Sequence, residues 1–505
     1  MSSSQFHSDV ENDDAQSQRE LSQAGLRIED ILRHRRNVRA FLLNKTPKFF
    51  PVKDTCRVDN EGIRQLPQLS PRQDVPLVAF VPAAGASSRY LSPLSNLVQA
   101  LRSQDSHSCL QALKVLDENG ILKCPLPPSL KDLESICRAN NSQIRSELAS
   151  SVLDDVDAPK ALYPAVLEGQ TFLELKRIEH QAIGGLTGEV YICPPGRTVD
   201  FMSTAEKVKS KIPVVCFEQG AALATVRFDG AGNIARGDDG KISTVPAGHG
   251  SLVQLISDVP QHFPKARGVF IRNIDNVTGV SQEVVKASRF FMAGFQRSLK
   301  FLDNIRNALA AKDGSSAAES ARSLLELWGL RCSSNDDPID MVLKKLFHAP
   351  FSELDTEPLS LLLRPLVLMG QVPNTARDVG GTCVFTAIDG VNQKLCLERP
   401  HASPEDQQRF LDNPVTSTHF NPVFVAAEVP SREVVQSWSN HPFWLIAKKS
   451  WNGREVLYQE SILYELLGSS QYTNLVFVDV PRKVFNPHKT LADASGKHLS
   501  DWGVN

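Results

Sequence analysis

The chain has 505 residues, of which 41% are hydrophobic and 22% are charged, a composition typical of soluble globular proteins. Its 55 lysine and arginine residues nearly balance its 57 aspartate and glutamate residues, which gives a net charge of −2. This charge excludes an overall positive field that would attract nucleic acid or an anionic membrane. The nine cysteines include no CxxC pair, which excludes paired-cysteine metal sites and a dense disulfide framework. We therefore expect a cytoplasmic protein that binds neither nucleic acid nor membranes.

A chain of this length predicts roughly two to four structural units. The N-terminus lacks the basic-then-apolar order of a secretion signal, and no stretch reaches the roughly eighteen apolar residues of a membrane-spanning helix. We predict, in chain order, a disordered N-terminus at 1–22, a helical extension at 23–75, a first α/β part at 76–280, a helical insertion at 281–370, and a second α/β part at 371–505 that completes the sheet.

Short β-branched or aromatic runs alternate with helical patterns: VPLVAFVP at 75–82, GEVYICPP at 188–195 and IPVVCFEQ at 212–219. The pattern is helical between 281 and 370, and strands return beyond it. Strands that alternate with helices predict a mainly parallel sheet flanked by helices. The predicted fold class is therefore α/β, with a Rossmann-like sheet whose ligands lie at the carboxyl ends of the strands.

Residues 83–89, AAGASSR, follow a predicted strand and precede a predicted helix. Backbone N–H groups at such a turn bind anions together with the helix dipole, and small side chains let a phosphate reach them. Arg89 would add a permanent, forked positive charge. The pattern is neither G-x-G-x-x-G nor GxxxxGK[ST], which argues against NAD-type and P-loop sites. An ordinary turn with a surface arginine is the alternative.

This turn resembles the AGGxGTR loop of the sugar-1-phosphate nucleotidyltransferases, and more closely the P-A-S-G-A-x-S-R loop of the bacterial domain-of-unknown-function family 4301. Further motifs in the same order extend the resemblance over about residues 76–500. The resemblance implies a nucleotidyltransferase-like fold and a catalytic role for Arg89. It also implies a nucleotide-binding loop of Ala84, Gly85, Ala86, Ser87 and Ser88.

Three further stretches belong to the nucleotide side of this resemblance. APKALYP at 158–164 resembles the P-K-[GA]-L-x-P segment, which implies that Lys160 is a catalytic, phosphate-binding lysine. FEQ at 217–219 and VPAGHGSL at 245–252 resemble the F-x-Q and P-G-G-H-G-x-L stretches of the UDP-sugar pyrophosphorylases. They imply a nucleotide-binding group of Gln219, Gly248, His249 and Gly250.

FIRNIDNV at 270–277 places two amides and a carboxylate at the end of an apolar strand. Oxygen ligands of this kind hold Mg²⁺ while the ion keeps several waters. The stretch matches the F-I-x-N-I-D-N-V of family 4301 almost letter for letter, and Asp275 is the predicted ligand of Mg²⁺. An Asx turn that ends a strand is the alternative.

VDVPRKVFNPHKTLAD at 478–493 resembles the V-P-x-x-x-F-x-P-V-K-T-x-x-D stretch of the pyrophosphorylases, with His488 where valine is usual. The resemblance implies a second catalytic lysine at Lys489 and a second metal ligand at Asp493. Segments between these motifs also resemble family 4301. They imply a substrate-binding group of Asn421, Lys449 and Glu460.

Together these motifs imply a Mg²⁺-dependent nucleotidyltransferase that joins a nucleoside triphosphate to a sugar 1-phosphate and releases pyrophosphate. Part 76–280 would bind the nucleotide, and part 371–505 would complete the substrate site. Two alternatives stay open. One is a glycosyltransferase that uses a nucleotide sugar, with DVD at 155–157 as a metal-binding D-x-D, and the other is a non-catalytic nucleotide-binding protein of the same fold. The sequence does not specify the base, the sugar or the oligomeric state.

Overall fold

The computed structural model describes residues 15–43, 62–72, 74–86, 90–91, 94–103, 106–118, 122, 143, 147, 149, 158–166, 169–237, 239–276, 278–349, 357–375, 382–388, 391–397, 403–412, 418–437, 445–451, 454–460, 467–491 and 493.

The strands are β1 Ile63–Gln65, β2 Leu77–Pro82, β3 Leu186–Cys193, β4 Val214–Glu218, β5 Ala224–Val226, β6 Thr244–Pro246, β7 Gly268–Ile271, β8 Leu366–Pro373, β9 Thr382–Ile388, β10 Val391–Leu397, β11 His419–Glu428, β12 Leu445–Trp451, β13 Arg454–Glu460 and β14 Asn474–Asp479.

The α-helices are α1 Ala15–Gln23, α2 Ile28–Leu42, α3 Ser95–Ser103, α4 Ser106–Glu118, α5 Phe172–Ile183, α6 Thr198–Glu206, α7 Val253–Ile256, α8 Val259–His262, α9 Gln282–Ala310, α10 Gly314–Leu327, α11 Pro338–Met341, α12 Pro358–Leu362, α13 Pro404–Asp406 and α14 Arg432–Ser437. Within the described part of the chain, every helix is too short or too polar to cross a membrane.

The chain divides into two compact units, each built from three segments. The first unit comprises Met1–Pro67, Gln219–Arg267 and Gly294–Asp479, and the second comprises Gln68–Glu218, Gly268–Ala293 and Val480–Asn505. The division into five consecutive parts stays a prediction.

The second unit contains four parallel strands in the order β7-β2-β3-β4. The apolar residues of β2 are buried from Leu77 to Val81, as expected for a strand covered on both faces. Helix α6 packs against β3 and β4. The predicted α/β class with a mainly parallel sheet is confirmed. Because the strands are parallel, their carboxyl ends lie along one edge, where the residues after β2 and β7 meet.

The first unit contains the strands β1-β14-β8-β11 in that order, with β11 antiparallel to β8 and the other pairs parallel. Three antiparallel hairpins, β5–β6, β9–β10 and β12–β13, complete its β-structure among the described residues. The range 281–370, predicted to be helical, holds α9 to α12 and the start of β8. The residues of β8 are apolar throughout its first half, and such a run does not distinguish a buried strand from a helix.

Helices α1 and α2 belong to the core of the first unit. Leu21 of α1 is buried, so the disorder predicted for 1–22 does not extend through this helix. His34 of α2 bonds through Nδ1 to Thr225 Oγ1 at 2.8 Å, and Asn37 Nδ2 donates to Gln459 Oε1 at 2.8 Å. The apolar cluster that joins these helices to the hairpins consists of Leu21, Leu26, Ile31, Val38, Val226, Phe228, Ile446 and Leu457.

Candidate functional site

The backbone and side chain of Lys160 are both fixed within the second unit. The Lys160 N–H donates to the carbonyl of Gly85 at 2.9 Å, which joins this residue to the turn after β2. Its side chain is buried beside the rings of Tyr90 and Phe172, whose centroids lie 4.9 and 4.8 Å from Nζ. Aromatic faces attract a cation of this kind. These contacts determine where Lys160 presents its charge.

Three residues that are distant in sequence meet just after β7. Lys160 Nζ donates to Asp275 Oδ2 at 2.8 Å across 115 residues of sequence. Lys489 Nζ donates to Asp275 Oδ1 at 2.8 Å across 214 residues. We call Lys160, Asp275 and Lys489 the lysine–aspartate triad. Lys160 Nζ also donates to the carbonyl of His488 at 2.5 Å, and Lys489 Nζ donates to Asn276 Oδ1 at 2.5 Å.

Backbone hydrogen bonds hold the C-terminal segment of the triad beside the turn after β7. The His488 N–H donates to the carbonyl of Asp275 at 3.0 Å, and the Thr278 N–H donates to the carbonyl of Asn486 at 3.1 Å. The His488 ring bonds through Nδ1 to the carbonyl of Ala165 at 2.9 Å. His488, which stands where the resembled motif has valine, is therefore buried and hydrogen-bonded. Its backbone N–H bonds to Asp275, and its carbonyl accepts from Lys160.

Asp493 lies in the same segment and shapes the turn that carries Lys489. Its Oδ2 accepts hydrogen bonds from the backbone N–H groups of Lys489 at 2.8 Å and Thr490 at 2.7 Å. The Thr490 hydroxyl donates to the same oxygen at 3.2 Å. The role of Asp493 as a metal ligand stays a prediction, and its visible role is to orient the backbone of Lys489.

The triad carries more positive than negative charge in a region poor in water. Burial alone would raise the pKa of Asp275, but Lys489 and Lys160 together lower it to about 2. Burial lowers the pKa of Lys160, and Asp275 opposes that shift. Within the triad an ionised carboxylate lies between two ammonium groups, and the carboxylate of Asp493 also acts on Lys160. Ammonium groups brought together in this way attract anions.

The predicted nucleotide-binding turn is described only in part. Ala84 is half-buried, and Gly85 and Ala86 are exposed. A Cβ added at Gly85 would meet no atom within 4 Å, so a ligand has room beside this backbone. Ala86 forms an isolated β-bridge with Pro159, which joins the turn to the segment of Lys160. Of the residues predicted from the sequence, Ser87, Ser88, Arg89 and the DVD segment at 155–157 lie outside the described part.

A second group of charges, which the sequence reasoning missed, is buried in the same unit. Glu179 of α5 forms salt bridges with Lys176, at 3.1 Å, and with Arg272, the first residue after β7. Burial lowers the pKa of Lys176 well below its usual value, and the charge of Asp275 opposes this shift. The charged groups buried around α5 are Lys176, Arg177, Glu179, His180, Glu189 and Arg272. Four of them fall within FLELKRIEHQAI, where charges occupy positions that an ordinary amphipathic helix would leave apolar.

The remaining predicted residues belong to the first unit. Gly248 has a φ of +86°, a conformation that favours glycine, and it precedes the 3-10 helix His249–Leu252. Lys449 is exposed on β12, and Glu460 ends β13. Burial raises the pKa of Glu460, and Lys449 opposes that shift, so these two side chains are electrostatic neighbours. The other members of this group are Gln219, which follows β4, Gly250, in the same 3-10 helix, and Asn421, on β11.

The donor groups near the triad fit a magnesium ion only in part. Mg²⁺ usually takes one or two carboxylates and fills its other positions with water and substrate phosphates. Asp275 and Asn276 supply oxygens of the right type, but both Asp275 oxygens and Asn276 Oδ1 accept from a lysine. Among the described residues, no cluster of three or more His, Cys, Asp or Glu side chains could hold a metal.

A parallel sheet with the lysine–aspartate triad at its carboxyl edge defines an α/β protein with two ammonium groups where ligands of such sheets bind. The chain belongs to the family described as Domain of unknown function (DUF4301), whose model matches residues 198–497. The resemblance to this family read from the sequence is thereby confirmed. Asp275 and Lys489 lie within the match, and Lys160 precedes it.

The chain is also similar to several solved structures. A mutant UDP-glucose pyrophosphorylase from Leishmania major in complex with UDP-glucose is 11% identical, with 94% of this chain and 77% of that chain covered and a TM-score of 0.47. UDP-glucose phosphorylase from Trypanosoma brucei is 14% identical, with coverages of 94% and 76% and a TM-score of 0.46. No curated protein matches the chain.

Proposed function

We propose that the protein is a metal-assisted nucleotidyltransferase, which joins a nucleoside triphosphate to a sugar 1-phosphate and releases pyrophosphate. The lysine–aspartate triad carries this proposal. It gathers two ammonium groups at the edge of a parallel sheet, from segments that resemble phosphate-binding motifs of sugar-1-phosphate nucleotidyltransferases. The expected compartment is the cytoplasm.

The proposed reaction brings two polyanions together. An oxygen of the sugar phosphate attacks the α-phosphorus, the bond to the β-phosphate breaks in line, and pyrophosphate leaves with the bonding electron pair. The attacking oxygen is already anionic, so the reaction requires no general base. Lys160 and Lys489 would neutralise the phosphate oxygens, and preorganised charges in a buried site need little rearrangement during the reaction. Arg89 and the amides of the turn at 84–88 would hold the triphosphate.

Other roles follow from the predicted residues. Mg²⁺, when bound, would neutralise charge on the phosphate oxygens, and Asp275 and Asp493 are the residues proposed to hold it. The residues proposed to contact the base are Gln219, Gly248, His249 and Gly250, and those proposed to contact the sugar phosphate are Asn421, Lys449 and Glu460.

The proposal is tested by incubating the protein and Mg²⁺ with each nucleoside triphosphate against a panel of sugar 1-phosphates. We expect at least one pair to release pyrophosphate that depends on both substrates. Release of a nucleoside diphosphate from a nucleotide sugar would instead identify a glycosyltransferase. Nucleotide binding without either product would identify a non-catalytic binding protein, and both results would reject the proposal.

A further inference from the structure

One face of α5 contacts two parts of the triad at once. Phe172 and Glu179 lie seven residues apart, which is close to two helical turns, so their side chains share one face of this helix. The ring of Phe172 packs against Lys160, whose Nζ lies 4.8 Å from its centroid. Glu179 forms a salt bridge with Arg272, the first residue after β7. A single helix therefore supports both Lys160 and the turn that carries Asp275.

The contact between α5 and this turn is enclosed and fixed on both sides. The side chains of Glu179 and Arg272 are each 1% exposed. Lys176 Nζ donates to the second Glu179 oxygen at 3.1 Å, so both carboxylate oxygens are engaged. The Arg272 N–H donates to the carbonyl of Phe80 on β2 at 3.3 Å. The start of the turn is thus held through backbone and side chain, three residues before Asp275.

We propose that Glu179 is a positioning residue, which acts through Arg272 to hold the carboxylate of Asp275 between the two ammonium groups of the lysine–aspartate triad. The inference rests on the proposed function insofar as these ammonium groups are taken to bind phosphate. Both Asp275 oxygens accept at 2.8 Å, each from a different lysine. Hydrogen bonds weaken steeply when their geometry is disturbed, so a displaced turn would release at least one lysine.

The same helix supplies a matched control. Arg177 of α5 forms a salt bridge with Glu189 of β3, and the two side chains are 4% and 0% exposed. The second Glu189 oxygen bonds to His180 Nδ1 at 3.0 Å. Removal of this pair takes an equally enclosed ion pair from α5 but leaves its contact with the turn after β7. General loosening of the helix is thereby separated from positioning of Asp275.

The first arm of the test requires no substrate. Lys489 is 31% exposed, and the hydrogen bond to a carboxylate protects its ammonium group from acetic anhydride. In the double variant Glu179→Leu, Arg272→Met we expect Lys489 to be acetylated about fivefold faster, the factor that one hydrogen bond is typically worth. The control, Arg177→Met with Glu189→Leu, should keep the wild-type rate. Mass spectrometry measures both rates.

Melting temperatures show which variants are folded. Glu179→Asp, which keeps the charge and shortens the side chain by one methylene group, replaces the double variant if that protein does not fold, and its acetylation should also exceed the control rate. A wild-type rate of acetylation in the folded Glu179 variant would overturn the inference. Equal acceleration in the control would overturn it as well, because the effect would then be general to α5.

The second arm uses any substrate pair from which the wild-type protein releases pyrophosphate. The Glu179→Leu, Arg272→Met variant should lose kcat at least about tenfold, with a smaller effect on KM, because misplaced groups stabilise the transition state poorly. The control pair should keep the wild-type kcat, and equal losses in both variants would contradict the inference. Absence of pyrophosphate release from the wild type would reject the transferase, whereas acetylation of Lys489 tests the positioning by itself.

Discussion

The charge of Lys160 lies where water is largely excluded. Only 7% of the residue is exposed, and burial lowers the pKa of its ammonium group. An unpaired ammonium group in such surroundings costs several kcal/mol, so the carboxylate of Asp275 is what keeps this charge in place. The same exclusion of water strengthens the attraction between Lys160 and a bound phosphate. A residue with these surroundings is suited to stabilise charge on a transferring phosphoryl group.

Replacement of Lys160 by alanine is expected to reduce turnover at least about a hundredfold, because a charge-stabilising group at the reacting phosphate is worth roughly 3 kcal/mol. Asp275→Asn should cause a loss of similar size. Both are measured as initial rates of pyrophosphate release, with the exposed Lys483→Ala as control. Folded variants that keep the wild-type rate would remove both residues from the proposed mechanism.

Sequence motifs identify Lys160, Asp275 and Lys489 one by one, but not their contact. Lys160 and Lys489 lie 115 and 214 residues from Asp275 along the chain. Only the pairing of the strands shows that the three side chains meet. Arg272 shows the same difficulty. A charged residue directly after an apolar strand is expected to be exposed, and Arg272 is buried because Glu179 reaches it from α5. No spacing along the chain indicates such a partner.

At the scale of elements, α5 is a helix built around charges. Its start is fixed by a capping box, in which Thr171 Oγ1 accepts from the Glu174 N–H at 3.1 Å and Glu174 accepts from the Thr171 N–H at 2.7 Å. Its buried face then presents Lys176 and Glu179 to Arg272. Lys176 and Arg272 both pair with this one carboxylate. This face connects α5 with the turn that carries Asp275.

Glu179→Gln is expected to destabilise the protein by about 3–5 kcal/mol, because it leaves the buried guanidinium of Arg272 without its carboxylate. The measurement is the free energy of unfolding in urea, with Glu206→Gln on the exposed face of α6 as control. A triple replacement of Lys176, Glu179 and Arg272 by methionine or leucine should recover most of the loss. A Glu179→Gln protein as stable as the control would show that this carboxylate does not compensate the buried charge of Arg272.

The alternation of strands and helices was sufficient to predict a mainly parallel α/β sheet, because that pattern has few topological solutions. It did not reveal that β11 runs antiparallel to β8, because strand direction is set by long-range pairing. The helix α1 was missed for a related reason. Its residues are mostly polar, and its burial depends on Leu21 reaching a core formed by distant hairpins.

At the scale of the whole molecule, the first unit depends on a histidine that is neutral when folded. Burial, with a further contribution from Arg33, lowers the pKa of His34 from 6.5 to about 4. Its Nδ1 bonds to Thr225 Oγ1, so α2 is held to β5 by a contact that protonation would disturb. Acidification therefore acts on the link between the N-terminal helices and the hairpins of this unit.

The wild-type protein should lose stability as the pH falls from about 6.5 to about 4, because the unfolded chain binds a proton at His34 in this range and the folded chain does not. The neutral His34 contributes about 3 kcal/mol to the free energy of unfolding, and this contribution is fully present above pH 6.5. In urea unfolding at several pH values, the wild type should have a larger free energy of unfolding than His34→Gln above pH 6.5. This difference should disappear as the pH falls to about 4. The exposed His262→Gln should follow the wild-type curve. Parallel curves for wild type and His34→Gln would contradict the assignment.

Each compact unit is interrupted in sequence, and the triad joins the second and third segments of one unit to its first. During synthesis on the ribosome, Asp275 therefore emerges long before Lys489, and 214 further residues must be translated before the second ammonium group arrives. A nascent chain halted before that point lacks the Lys489 ammonium group and its hydrogen bond to Asp275. Completion of the triad is thus a late event of biosynthesis, and a chain terminated before Lys489 leaves Asp275 paired with Lys160 alone.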